Sequence, residues 1–172
     1  MKTTPAFLII AALGLSACAN PDRFDNAGTD PLSNQAYNAT PAPLSPAQDP
    51  TSPVYFQQTI GDRVLFAVDT SSLTPAGIAT LEGQARWLMD NGDYLAVIEG
   101  HADEQGTREY NLALGARRAN TVRDFLVSKG IASTRIRTIS YGKERPIEVC
   151  STEACYAKNR RAVTIISSGA VS

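Results

Sequence analysis

Histidine occurs once, at His101, and cysteine three times, so the soft ligands of a zinc centre are too few. Lysine is scarce and the formal net charge is -1, which leaves no basic field for nucleic acid or anionic lipid. No phosphate loop, nucleophile motif or second ligand cluster accompanies the histidine. His101, Asp103 and Glu104 lie close enough to suggest a hydrolytic or metal centre. Without such companions no enzyme, cofactor or metal is read from them, and His101 reads as a hydrogen-bonded residue at a strand end. Long apolar runs are missing too. The stretch from Ala6 to Leu15 is too short to span a bilayer and follows one early charge, Lys2, which is the layout of a secretory signal over residues 1–17.

What is present begins where that signal ends. Leu15-Ser16-Ala17-Cys18 resembles the lipobox of bacterial lipoproteins, which makes Cys18 the expected acylated first residue of the mature chain. By the same resemblance, Ala19 after the cysteine points to the outer membrane, with the protein lipid-anchored and facing the periplasm. Residues 18–58 are rich in proline, asparagine, serine and alanine and read as a linker that does not pack. As a flexible coil of about 40 residues it spans about 35 Å, and about 120 Å if stiffened toward polyproline II. Cys150 and Cys155, spaced C-x₄-C in a compartment where disulfides persist, read as a local disulfide. Closing so short a loop stabilises by about 2 kcal/mol.

Residues 59–172 carry the folded domain. Arg63 to Val68 alternates as a strand, Thr74-Pro75 reads as N-cap and first helical residue, and Ile78, Leu81, Ala85 and Leu88 form an apolar stripe ending at Asn91-Gly92. Tyr94 to Glu99, Arg135 to Tyr141 and Ala162 to Ile166 are further strands, with a long helix to Lys129 and a short polar one between Cys150 and Lys158. The order βαβαβ(α)β predicts an α/β two-layer sandwich, a mixed four-stranded sheet with helices on one face. Trp87 and Tyr94 read as packing residues.

The densest chemistry lies in EGHADEQGTREYNLALGARRA, Glu99 to Ala119. On the following helix Gly115, Ala116, Ala119, Val122 and Leu126 share a sheet-facing side with Leu112, while Asn111, Leu114, Arg118 and Phe125 form a neighbouring stripe. Glycine costs about 1 kcal/mol relative to alanine inside a helix, so Gly115 reads as a break with the main helix starting there. Arg117 and Arg118 then fall in a first turn, where cations oppose the macrodipole and a carboxylate between them resolves the conflict. The alternative leaves both arginines solvated or paired with Glu109 and Glu104. Asp103, in a corner that Gly106 lets turn, either takes an ammonium group or caps the local backbone. Together Asp103 and Arg118 suit a zwitterion such as an amino-acid head group.

Three stretches, EGHADEQGTREYNLALGARRANTVRDFLVSKG, TISYGKERP and KNRRAVTII, closely resemble the outer-membrane-protein-A-like C-terminal domain family across Arg63 to Ile166. The resemblance implies non-covalent binding of peptidoglycan through meso-diaminopimelate of the stem peptide. It assigns the ammonium to Asp103 and the carboxylate to Arg118, with Asp69, Asn111 and Leu114 as further contacts. Gly115 replaces a serine common among relatives, and Ala67-Val68-Asp69 a more aromatic strand end. The implied partners, besides peptidoglycan and the outer membrane, are the Tol system proteins: the periplasmic propeller protein TolB and the inner-membrane-anchored TolA. A protein-binding module of that system with weak or no wall binding is the alternative. Arg160 and Arg161 are given no ligand role, one of them being expected to pair with a loop carboxylate.

Overall fold

The computed structural model describes residues 44–149 and 151–169. The signal, Cys18, most of the linker and Cys150 therefore lie outside the described residues, while Cys155 sits in a short helix.

Four strands, β1 (Arg63–Leu65), β2 (Tyr94–His101), β3 (Ile136–Gly142) and β4 (Arg161–Ser168), form one sheet in the order β1-β4-β2-β3. β4 runs antiparallel to both β1 and β2, and β3 runs parallel to β2, so the sheet is mixed. Strand alternation divides its faces: Val64, Ala96, Ile98, Ile136 and Ala162 are buried beneath the helices, whereas Leu65, Leu95, Ile139 and Ile165 on the opposite face are exposed. This is the expected two-layer sandwich.

β1 is shorter than its alternating pattern. One further bond, from the Phe66 N–H to the Arg160 carbonyl, extends the pairing, after which the chain turns through Asp69, whose φ of 54° lies in the left-handed region. β2, β3 and β4 run a residue or two past the predicted ends.

The helices are α1 (Pro53–Tyr55), α2 (Pro75–Asp90), α3 (Arg108–Ser128) and α4 (Glu153–Asn159). Thr74 caps α2 by accepting the Gly77 N–H at 3.0 Å, with Pro75 in the first turn. Its buried side comprises Gly77, Leu81, Gln84, Ala85, Trp87 and Leu88, and Ile78, expected in the stripe, is exposed because the helix meets the sheet through the next face round. Thr107 caps α3, which runs unbroken through Gly115.

That continuity corrects the expected break, and the reason is packing. A Cβ at Gly115 would stand 2.8 Å from the Gly100 carbonyl oxygen, and one at Gly100 would stand 2.6 Å from the Gly115 carbonyl carbon. The two glycines let the backbones of α3 and β2 touch, so Gly115 sets contact distance rather than helix termination.

A second correction concerns the linker, whose C-terminal end is folded. α1 leads into a wide helical turn over Phe56–Gly61 that buries Phe56, with its ring 4.9 Å from that of Trp87. The Trp87 indole N–H donates to the Pro50 carbonyl at 2.7 Å, and the Tyr94 ring lies 5.2 Å from the indole, tilted by 37°. Trp87 and Tyr94 are packing residues, as expected, and what they pack includes a strap lying before residue 59.

Candidate functional site

Beyond the C-terminal end of β2 the chain turns sharply through Asp103 to Gly106, the latter at φ 88°, before Thr107 starts α3. The loop after β1 crosses the same end of the sheet. Between them lies a concavity of about 200 Å³ lined by Val68, Asp69, Asp103, Gln105, Gly106, Tyr110, Asn111 and Leu114. Four of the five expected contact residues, Asp69, Asp103, Asn111 and Leu114, are in that wall.

Asp103 is largely buried, and each of its oxygens is engaged. Oδ1 accepts the Gln105 N–H at 3.2 Å, and Oδ2 meets Arg160 Nη1 at 3.1 Å. It is thus both a local cap and a charged lining group. Arg160 reaches it from the junction of α4 and β4 and also pairs with Glu153 at the start of α4. Burial weakens the Arg160 charge, but hydrogen bonds to Glu153 and Asp103 outweigh it and hold the pKa above the usual arginine value. The expected arginine partner of a loop carboxylate is therefore Arg160. Asn159 beside it is fully buried, accepts the Ile147 and Glu148 N–H groups and donates to Glu104 Oε1 at 2.7 Å, which ties the corner to the loop before α4.

Arg118 is not in a first helical turn. It lies in the middle of α3, fully buried, with its fork spread over three carbonyls: Nε to Thr70 at 2.8 Å, Nη1 to His101 at 2.8 Å and Nη2 to Ala67 at 3.1 Å. The Phe66 ring lies 5.2 Å from its guanidinium carbon. Desolvation pulls its pKa down to about 10, against the opposing field of Asp103, and it stays charged at neutral pH. Guanidinium carries five N–H donors, so three carbonyls leave two for another acceptor. Arg118 thus joins the loop after β1 to the end of β2 and is not itself among the lining residues of the concavity.

Asn111 donates to the Gln105 carbonyl at 2.7 Å and fixes the inner side of the corner. Asp69, exposed, accepts a hydrogen bond from the Tyr110 hydroxyl, which raises the phenol's pKa. Tyr110 closes one side of the concavity and was not singled out from the sequence, although it stands directly before Asn111. His101 is buried with neither ring nitrogen hydrogen-bonded among the described residues, contrary to expectation. Its Nε2 lies 3.5 Å from Glu99, its ring stacks on Tyr141, and burial together with Arg161 and Arg145 lowers its pKa to about 4. Only its backbone carbonyl serves the site, through Arg118. Among the described residues no cluster of three or more His, Cys, Asp or Glu side chains could hold a metal, and no helix is long and apolar enough to cross a membrane.

The α/β sandwich thus gathers two carboxylates, Asp69 and Asp103, and the Asn111 amide around one small concavity at the C-terminal end of β2. The chain belongs to the OmpA family, whose model matches residues 65–160. It is 52% identical to the peptidoglycan-associated lipoprotein of Mesorhizobium japonicum over 92% of this chain and 89% of that one. Identity to the peptidoglycan-associated lipoprotein of Agrobacterium fabrum is 44%, covering 96% of this chain and 89% of the relative. The crystal structure of the peptidoglycan-associated lipoprotein from Burkholderia pseudomallei superposes with a TM-score of 0.63 at 36% identity, covering 72% of this chain and all (100%) of that one. The C-terminal domain of Helicobacter pylori MotB shares the fold, with a TM-score of 0.59 at 21% identity over 63% of this chain and 86% of that one.

Proposed function

We propose that this chain is an outer-membrane lipoprotein, acylated at Cys18 and facing the periplasm, that binds peptidoglycan non-covalently through meso-diaminopimelate. In that role it tethers the outer membrane to the wall as part of the Tol–Pal system, with TolB and TolA as partners, and supports envelope integrity and cell division. It acts as a binding module and not as an enzyme. The relatives named above support the class, and the lipobox-like Leu15 to Cys18 supports the anchor. The Cys150–Cys155 disulfide belongs to the same reading and pins the loop before α4.

The observation that carries the ligand assignment is the concavity, whose lining includes the Asp103 and Asp69 carboxylates and Leu114, while Arg118 bonds the carbonyls of the two segments that bound it. An ammonium group is held by the carboxylates, the ligand methylenes lie on Leu114, Asn111 keeps the corner in place, and the ligand carboxylate is drawn toward Arg118. Each such contact is weak, and many anchored copies hold two layers together while every single contact stays reversible.

Sedimentation with purified sacculi tests this. The full-length chain in detergent co-sediments, free meso-diaminopimelate competes it off, and the amidated diamino acid does not. Asp103→Asn, which keeps the side-chain shape and removes the charge, abolishes co-sedimentation while circular dichroism stays unchanged. Retained binding by the folded variant overturns the assignment.

A further inference from the structure

Arg118 and Arg160 have their partners, whereas Arg117 is in no ion pair with a carboxylate of the described residues and meets the Tyr110 side chain instead. We propose that Arg117, lying over the Tyr110 ring at the mouth of the concavity, forms a second subsite for a carboxylate of the stem peptide outside its diaminopimelate tip. That carboxylate is the free α-carboxylate of the γ-linked glutamate preceding the diamino acid. The inference rests on the ligand reading given above.

Three observations converge on it. Tyr110 lines the concavity while 44% of its surface remains exposed, so it belongs to both the pocket wall and the outer rim. The Arg117 guanidinium carbon lies 5.8 Å from the centroid of that ring. Part of its N–H edge reaches the Tyr110 hydroxyl, and the remaining donors of the fork are available to a further acceptor. Tyr110, Leu114 and Arg117 follow one another at helical spacing on α3, so they form a ridge from the concavity's floor to solvent.

A ligand held by its tip must leave along some part of that rim, and its chemistry favours this one. Glutamate joined through its γ-carboxyl leaves its α-carboxylate free, roughly 7–10 Å from the bound tip in an extended peptide. The concavity wall carries the negative charges of Asp69 and Asp103, which disfavour a second anion everywhere on the mouth except beside a cation. Two cations border the mouth: Lys143, which donates to the Gly106 and Glu104 carbonyls on the corner side, and Arg117, which lies over the Tyr110 ring on the α3 side and along the Leu114 ridge. Amidation of the glutamate to isoglutamine removes the charge, so the subsite distinguishes two wall chemistries that share one diamino acid. The contact is solvent-exposed, which limits the preference to about fivefold and makes it decline with added salt.

Calorimetry on the full-length chain in detergent decides it with three probes: free meso-diaminopimelate, the tripeptide L-Ala-γ-D-Glu-meso-diaminopimelate, and the same tripeptide with D-isoglutamine. The expected result is about fivefold tighter binding of the glutamate tripeptide than of the isoglutamine one at low salt. Arg117→Gln equalises the two, Arg117→Lys recovers part of the difference, and neither changes the affinity for free meso-diaminopimelate. Equal affinities in the wild type, or a preference that survives in Arg117→Gln, overturn the subsite and leave the diaminopimelate reading standing. Failure of all three probes to bind the wild type overturns both.

Discussion

Single side chains at this site carry more than one duty, and Arg118 shows the consequence. Arg118→Ala strands the carbonyls of Ala67, Thr70 and His101. With about 1 kcal/mol or more for each unsatisfied group, we expect a stability loss of at least about 3 kcal/mol, measured by urea unfolding. Loss of binding in that variant therefore reports folding as much as recognition; Asp103→Asn keeps an oxygen for the Gln105 N–H but breaks the buried pair with Arg160, so its urea midpoint is measured beside its binding. His101 gives a pH prediction. Its pKa is lowered from 6.5 to about 4 in the native state, so the unfolded chain takes up a proton first as pH falls. The stability tied to neutral His101 is fully present above pH 6.5, drains away between 6.5 and about 4 by up to about 3 kcal/mol, and has no further slope below. His101→Gln should remove that portion of the slope in urea midpoints measured from pH 7 to pH 4. At this scale the polar residues Asp103, Asn111 and Arg118 were legible because they stand together in one short stretch of sequence. Their partners were not: Arg160 is 57 residues from Asp103, and the carbonyls around Arg118 come from two separate segments.

Between elements, the contact of α3 with β2 sets the position of the whole corner. Gly115→Ala should cost about 1–3 kcal/mol or more, because the added methyl has only the Gly100 backbone and the Ser140 hydroxyl to displace, and the first cannot yield. Gly100→Ala should be worse, since its Cβ would meet the Gly115 backbone directly. Denaturant midpoints of the two variants check this, and equal stability of Gly115→Ala and wild type would contradict the packing account. The glycine was visible in the sequence and its purpose was not: helix propensity treats it as a cost, and only the facing Gly100 explains it. Local signals served better where a side chain bonds its own neighbourhood, as Thr74 does at the start of α2, and failed where the outcome depends on a distant strand, as with Ile78. The shortness of β1 belongs with the failures: its alternation continues to Val68, but Arg118 holds the Ala67 and Thr70 carbonyls and pulls that segment out of the ladder.

For the molecule as a whole, strand and helix order was enough to give a mixed four-stranded sheet with one covered face, since periodicity survives averaging over a window. The strap of residues 50–56 was hidden by its prolines, and a lone Phe56 in polar surroundings gives no periodic signal. A domain beginning at residue 59 should be less stable than one beginning at residue 44 by about 2–3 kcal/mol, the burial of one phenylalanine plus its edge contact with Trp87, readable as a lower melting temperature. The strap enters beside Trp87 and Tyr94, at the opening residue of β2, while the concavity lies past its closing one, about 25 Å away along the strand. Force applied at the strap and resisted at the ligand would run lengthwise down β2, which is hydrogen-bonded on both sides. Its ladders would then be loaded in shear, many bonds sharing the pull at once, instead of being unzipped one by one from an edge.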